Sequence, residues 1–214
     1  MMNFTPLYNP PPRNVAALLA LALALAGCAG GSPTVPVSQA EADTRKTIVH
    51  VDAAADADVA AEFDKAMTLL KAGEYEKGAD LLRNVARRSP NHTAPHINLA
   101  MAYEKLGKLP AAEESIKKAL ELNPGHPVAN TQYGLLYRRT GRFAEARQVY
   151  ERTLKQYPDF LAARKNLGIL CDMYLKDLEC ALTQYQAYSA AMPDDKTVRV
   201  WIADLELRRA KQAP

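Results

Sequence analysis

Three cysteines and four histidines carry the capacity of this chain for covalent and metal chemistry: Cys28, Cys171 and Cys180, and His50, His92, His96 and His126. Three cysteines are too few for a disulfide-dense scaffold. His92 and His96 are four apart, the spacing that sets two imidazoles on one helix turn. They lie beside Pro90 and Pro95 at an expected bend, however, and no third ligand is near, so they read as solvated turn histidines and not as a metal site. The acidic pairs Glu113-Glu114 and Asp194-Asp195 read as solvent-face or capping residues. There is no glycine-rich phosphate loop, no nucleophile elbow and no HExxH. These residues therefore point to a protein that is not an enzyme and needs neither cofactor nor metal. The net charge of +3, from 27 basic and 24 acidic side chains, lacks the basic excess of a nucleic-acid binder.

Cys28 has a context of its own. Residues 1–14 are polar and proline-rich with one positive charge, Arg13, and residues 15–27 read VAALLALALALAG without a charge. That run is shorter than the roughly 20 residues a spanning helix needs, and an apolar run behind a basic residue and before small residues is a secretory signal. Leu25-Ala26-Gly27-Cys28 resembles the bacterial lipobox. The resemblance implies cleavage after Gly27, a diacylglycerol thioether on Cys28 and acylation of the new amino terminus. Two or three acyl chains hold a protein firmly, because each buried methylene contributes about 0.8 kcal/mol. Ala29, rather than Asp, follows the cysteine, which in lipoproteins of two-membrane bacteria looks like the outer-membrane default. Residues 28–57 are then a flexible tether, rich in Gly, Ser, Pro and Ala and unable to bury enough apolar surface to order themselves.

Beyond the tether the chain repeats. Gly73, Gly107 and Gly141 recur every 34 residues, as do Pro90, Pro124 and Pro158, with Pro193 one residue late. Ala100, Gly134 and Gly168 share one phase; Gly78, Ala112 and Ala146 share another. This pattern resembles the tetratricopeptide repeat. Leu99, Ala100, Tyr103, Gly107, Ala112, Ile116, Ala119 and Pro124 match its signature in the second unit. Tyr133, Gly134, Tyr137, Gly141, Ala146, Tyr150 and Pro158 match it in the third. The first unit is weaker, with Lys65 and Gly78 at signature positions, and the fourth has an extra residue and no turn glycine; the signature Trp is absent throughout. The resemblance implies an all-α superhelix of four helix-turn-helix repeats over 58–193, behind a signal peptide (1–27) and the tether (28–57). Residues 194–214 form a capping helix and tail, with Val198, Trp201, Ile202 and Leu205 inward and Arg208, Arg209 and Lys211 at its end.

In this family the first helix of each hairpin lines a concave groove. One residue after each small residue stand Met67, Met101, Leu135 and Ile169, and two before it Asp64, Asn98, Gln132 and Asn166. The expected surface is an apolar stripe beside a ladder that is mostly amides, able to donate to and accept from an extended backbone. Arg138, Arg139 and Lys165 add positive charge, favouring acidic segments. Asn98, Met101, Gln132, Leu135, Arg138, Lys165, Asn166 and Ile169 are the candidate partner-binding residues. The carboxylate-clamp set of chaperone-binding relatives is not present. Cys171 and Cys180 flank the irregular turn of the fourth repeat at similar heights on antiparallel helices, within bridging range; a disulfide and two buried thiols both fit. The expected function is a non-catalytic scaffold, lipid-anchored in the cell envelope and facing the periplasm. It binds a protein or peptide segment and assists an envelope machine such as a type IV pilus or secretin. Pilus-assembly lipoproteins of this kind carry more repeats than four. The alternatives are a structural lipoprotein without a client or an enzyme with an unrecognised site. Neither the oligomeric state nor the client is legible.

Overall fold

The computed structural model describes residues 53–212. Cys28, the signal segment and most of the tether lie outside the described residues. Contacts divide the chain into Met1–Ala57 and Asp58–Pro214, and the repeats lie in the second unit. The helices are α1 (Ala53–Lys71), α2 (Tyr75–Arg88), α3 (Thr93–Lys105), α4 (Leu109–Leu122), α5 (Pro127–Arg139), α6 (Phe143–Gln156), α7 (Leu161–Ile169), α8 (Leu178–Ala191) and α9 (Lys196–Gln212). A π-helical turn, Leu170–Leu175, continues α7. No strand occurs among the described residues, and no described helix is long and apolar enough to cross a membrane. Helix α1 takes in Ala53–Ala57, the last residues of the segment read as tether.

Helices pair as the period requires, α1–α2, α3–α4, α5–α6 and α7–α8, each pair joined by a tight turn. Gly73, Gly107 and Gly141 sit in those turns at φ +81°, +71° and +77°, the left-handed region where a side chain is strained. The residue after each glycine donates to the carbonyl five back, as in Lys108 to Tyr103 at 2.8 Å. Second helices carry a one-sided stripe, for example Ala146, Val149, Tyr150 and Thr153 of α6. First helices are buried on more than one side. In α3 the buried residues include Ile97, Leu99, Ala100, Ala102 and Glu104, because the helix meets its own second helix, the preceding one and the next first helix. Stacking the hairpins in this way joins three adjoining apolar clusters into the core.

In each hairpin the small residue of the first helix packs against a large side chain of the second, and its size varies with that partner. Ala66 shares a cluster with Leu82, and Ala100 with Ile116. Gly134 and Gly168 face Tyr150 and Tyr185, and a Cβ on either glycine would come within 2.5 Å of the tyrosine ring. Alanine thus accepts an aliphatic side chain and glycine accepts a phenol. Both tyrosine side chains are buried, each contributing about 1.5–3 kcal/mol by leaving water.

The fourth repeat accommodates its extra residue inside the helix. The π-helical turn absorbs one residue, Lys176 takes the left-handed position of the missing glycine at φ 57°, and Asp177 donates to Cys171 O, six residues back rather than five. Cys171 and Cys180 are disulfide-bonded across this turn, with Cα atoms 5.9 Å apart. Closing so short a loop removes unfolded-chain entropy equivalent to about 2–3 kcal/mol. Asp177 also N-caps α8, accepting from the Cys180 amide at 3.0 Å.

Helix α9 packs Val198, Trp201, Ile202 and Leu205 against the fourth repeat. The polar outer face expected of a cap is interrupted: Val200 and Leu207 are 67% and 64% exposed.

The glycine–tyrosine pairing makes a prediction. Gly134→Ala adds helix propensity of about 1 kcal/mol, but its methyl collides with a ring that has no free space. We expect a net loss of about 1–3 kcal/mol in chemical denaturation. Adding Tyr150→Ile recreates the Ala100–Ile116 pair, so the double variant should be more stable than the two single losses sum to; an additive or stabilising result would contradict the pairing.

Candidate functional site: the first-helix face

First helices of successive repeats contact one another directly, α3 with α5 and α5 with α7, so their shared face is continuous from the second repeat to the fourth. The expected apolar stripe lies there. Met67, Met101 and Ile169 are half-buried and lean on the core clusters. Leu135 is half-buried as well, but stands outside those clusters.

The amide ladder is largely engaged within the chain. Asn98 and Asn166 each donate to the carbonyl one turn back, Ala94 O and Ala162 O, both at 2.9 Å. That leaves each side-chain carbonyl as an acceptor. Gln132 reaches across to the previous repeat and donates to the Glu104 carboxylate. Arg139 meets the same carboxylate at 2.8 Å and the Glu104 carbonyl at 3.2 Å. Glu104, buried and charged, is therefore a bracket between the second and third repeats. Asp172 repeats the device two repeats on, accepting from Arg208 of α9 at 2.5 Å. Composition gave no sign of these brackets. Their only trace in the sequence is that Glu104, Arg138 and Asp172 share one phase, four after the small residue.

Arg138 differs from its neighbours in that phase. Among the described residues no carboxylate lies within ion-pair distance of it. Its Nη1 reaches the Tyr174 hydroxyl only at 3.5 Å, and its guanidinium lies 5.5 Å from that ring's centre. Its Nε is buried without a partner, and the buried Tyr150 hydroxyl beside it lacks a well-formed hydrogen bond. Burial pushes the Tyr150 phenol well above its ordinary value, keeping it a neutral donor. A half-buried guanidinium beside a spare phenolic donor is suited to receive a carboxylate.

Lys165 is committed elsewhere. Its ammonium binds Asp195 at 2.8 Å and stands over the rings of Tyr188 and Trp201. His92 is exposed at the N-cap of α3 and His96 lies half-buried within it. The one group of potential metal ligands among the described residues is Cys171, Asp177 and Cys180, whose sulfurs are oxidised to the disulfide.

The Asp195 bracket makes the cap acid-sensitive. The Lys165 ammonium, helped by the Val198 amide and the Tyr188 hydroxyl, holds the Asp195 carboxyl below its ordinary 3.8. A carboxyl depressed in the folded state contributes stability that is complete above its unfolded value and disappears as pH falls through the folded one. Thermal melts should therefore show this contribution above pH 3.8 and its loss below. Asp195→Asn should flatten that acid limb; a limb unchanged in the variant would assign the effect to other carboxylates.

Comparison with known proteins agrees with the geometry. Residues 91–159 match the family model described as tetratricopeptide repeat. No protein of curated function matches the sequence significantly. Among solved structures, PilF of Pseudomonas aeruginosa aligns with a TM-score of 0.67 at 21% identity, over 74% of this chain and 72% of that one. A thermophilic TPR protein of Thermus thermophilus aligns with a TM-score of 0.63 at 24% identity, over 78% and 87%. The first TPR of Spaghetti (RPAP3), solved with the HSP90 peptide SRMEEVD, aligns with a TM-score of 0.52 at 25% identity, over 58% and 96%. By its repeats, its hairpin stack and these matches, the chain has the fold of tetratricopeptide-repeat proteins, and residues 91–159 match the repeat itself.

Proposed function

We propose that this protein is a non-catalytic scaffold, lipid-anchored in the bacterial cell envelope. It holds an extended, acidic segment of a client protein against its first helices and thereby assists an envelope machine such as a type IV pilus or secretin. The coarse part of this reading, a protein-interaction scaffold, follows from the fold. The acidic segment rests on one observation: Arg138 stands half-buried beside Leu135 and the Tyr150 hydroxyl, without a carboxylate of its own among the described residues. The peptide solved with the RPAP3 repeat domain, SRMEEVD, carries apolar and acidic residues together. The same pairing suits a site that offers Leu135 and Arg138. The Asn98 and Asn166 side-chain carbonyls supply acceptors for the segment's backbone. Anchoring rests on Leu25-Ala26-Gly27-Cys28, and an exported domain suits the Cys171–Cys180 bridge, since disulfides persist in oxidising compartments.

Affinity capture from envelope extract tests the binding reading. Leu135→Lys should abolish client recovery, and Arg138→Glu should reduce it at least about tenfold by repelling an acidic segment. Both positions lie outside the fully buried core, so helix content by circular dichroism should hold. Capture that survives both substitutions would place the client elsewhere.

A further inference from the structure

The outward face of α9 breaks a rule kept by the rest of the array. In each hairpin the small residue of the first helix, Ala66, Ala100, Gly134 or Gly168, is covered by its own second helix. Allowing for the residue absorbed in the π-helical turn, the matching position in α9 is Ala203, which is exposed. No described helix covers it. Val200 and Leu207, three before and four after Ala203, are the most exposed large apolar side chains among the described residues. Their equivalents in the second repeat, Ile97 and Glu104, are buried. The array thus seals this face in its repeats and leaves it open in α9.

The open face is built to fit itself. Val200, Ala203, Leu207 and Ala210 follow the 3-4-3 spacing of a coiled-coil seam, with large and small side chains alternating and all four exposed. Two such helices, antiparallel about a two-fold axis near position 205, set Leu207 of each copy over Ala203 of the other, and Val200 against Ala210. A two-fold interface needs this reciprocity, residue i on j and j on i. An aliphatic side chain over an alanine is also the pairing at Ala66–Leu82 and Ala100–Ile116. On its other flanks α9 is held to its own array by Arg208–Asp172 and Arg209–Glu179. It can therefore present the seam without leaving its place.

We infer that α9 is a self-association surface through which two copies of this chain pair antiparallel along Val200, Ala203, Leu207 and Ala210. Four side chains from each copy make an interface smaller than that of permanent dimers, so pairing is reversible and concentration-dependent.

Light scattering on the full-length chain, with any detergent mass subtracted, reads this directly. The protein mass should rise from one chain towards two with concentration. Val200→Glu and Leu207→Glu should each weaken pairing at least about tenfold, since each change enters the interface twice. Met173→Glu, at another exposed apolar site, should leave it intact. Circular dichroism of each variant checks that the helices persist. A single-chain mass up to about 0.5 mM, or a dimer indifferent to both seam substitutions, would overturn the inference; the first would leave the face to a different helix, the second would place the contact elsewhere.

Discussion

The array depends on how closely two helices of a hairpin can approach at one residue. At Gly134 and Gly168 the first helix has no side chain, and the ring of Tyr150 or Tyr185 lies against its backbone. That contact fixes the interaxial distance, buries a large aromatic, and sets the phase of everything else on the helix. One residue onward, Leu135 and Ile169 turn to the shared first-helix face. Four residues onward, Asp172 comes to the bracket with α9, while Arg138 stands without a carboxylate among the described residues. The proposed binding surface is thus a consequence of the packing rule and not a separate feature laid over it.

Polar brackets fix the stacking that apolar packing alone leaves free to slide. Glu104 with Gln132 and Arg139 joins the second repeat to the third, and Lys165 with Asp195 and Asp172 with Arg208 join the fourth repeat to the cap. A partly buried charge is expensive unless paired, so a slipped register would leave these groups unmatched. The fourth repeat shows the same economy of means. An extra residue, which would otherwise rotate the following helix, is taken up in the π-helical turn and closed by Cys171–Cys180.

Much of this was legible in the sequence. Glycines at fixed intervals announced turns with positive φ, because few other residues hold that conformation without strain. Small residues in phase announced close approach. The position of Cys171 and Cys180 about an irregular turn suggested their proximity. The candidate face was legible as a set of positions but not as a set of partners. Gln132 and Lys165 look like ligands in sequence, and only the fold shows that Glu104 in the preceding hairpin and Asp195 at the start of the cap already engage them. The amides of Asn98 and Asn166 turned back on their own helix for a local reason, a carbonyl one turn away. The exposure of Val200 and Leu207 was hidden because α9 has the composition of a cap and the register of a first helix.

The central claim is that the face formed by the first helices, and not the second, receives the partner. Site-specific photo-cross-linking in living cells tests it most directly. A benzophenone side chain placed at Leu135 or Arg138 should yield one common adduct, identifiable by mass spectrometry, while the same group at Arg152 or Lys118 on second helices should yield none. Adducts from the second-helix positions with none from Leu135 or Arg138 would contradict the account.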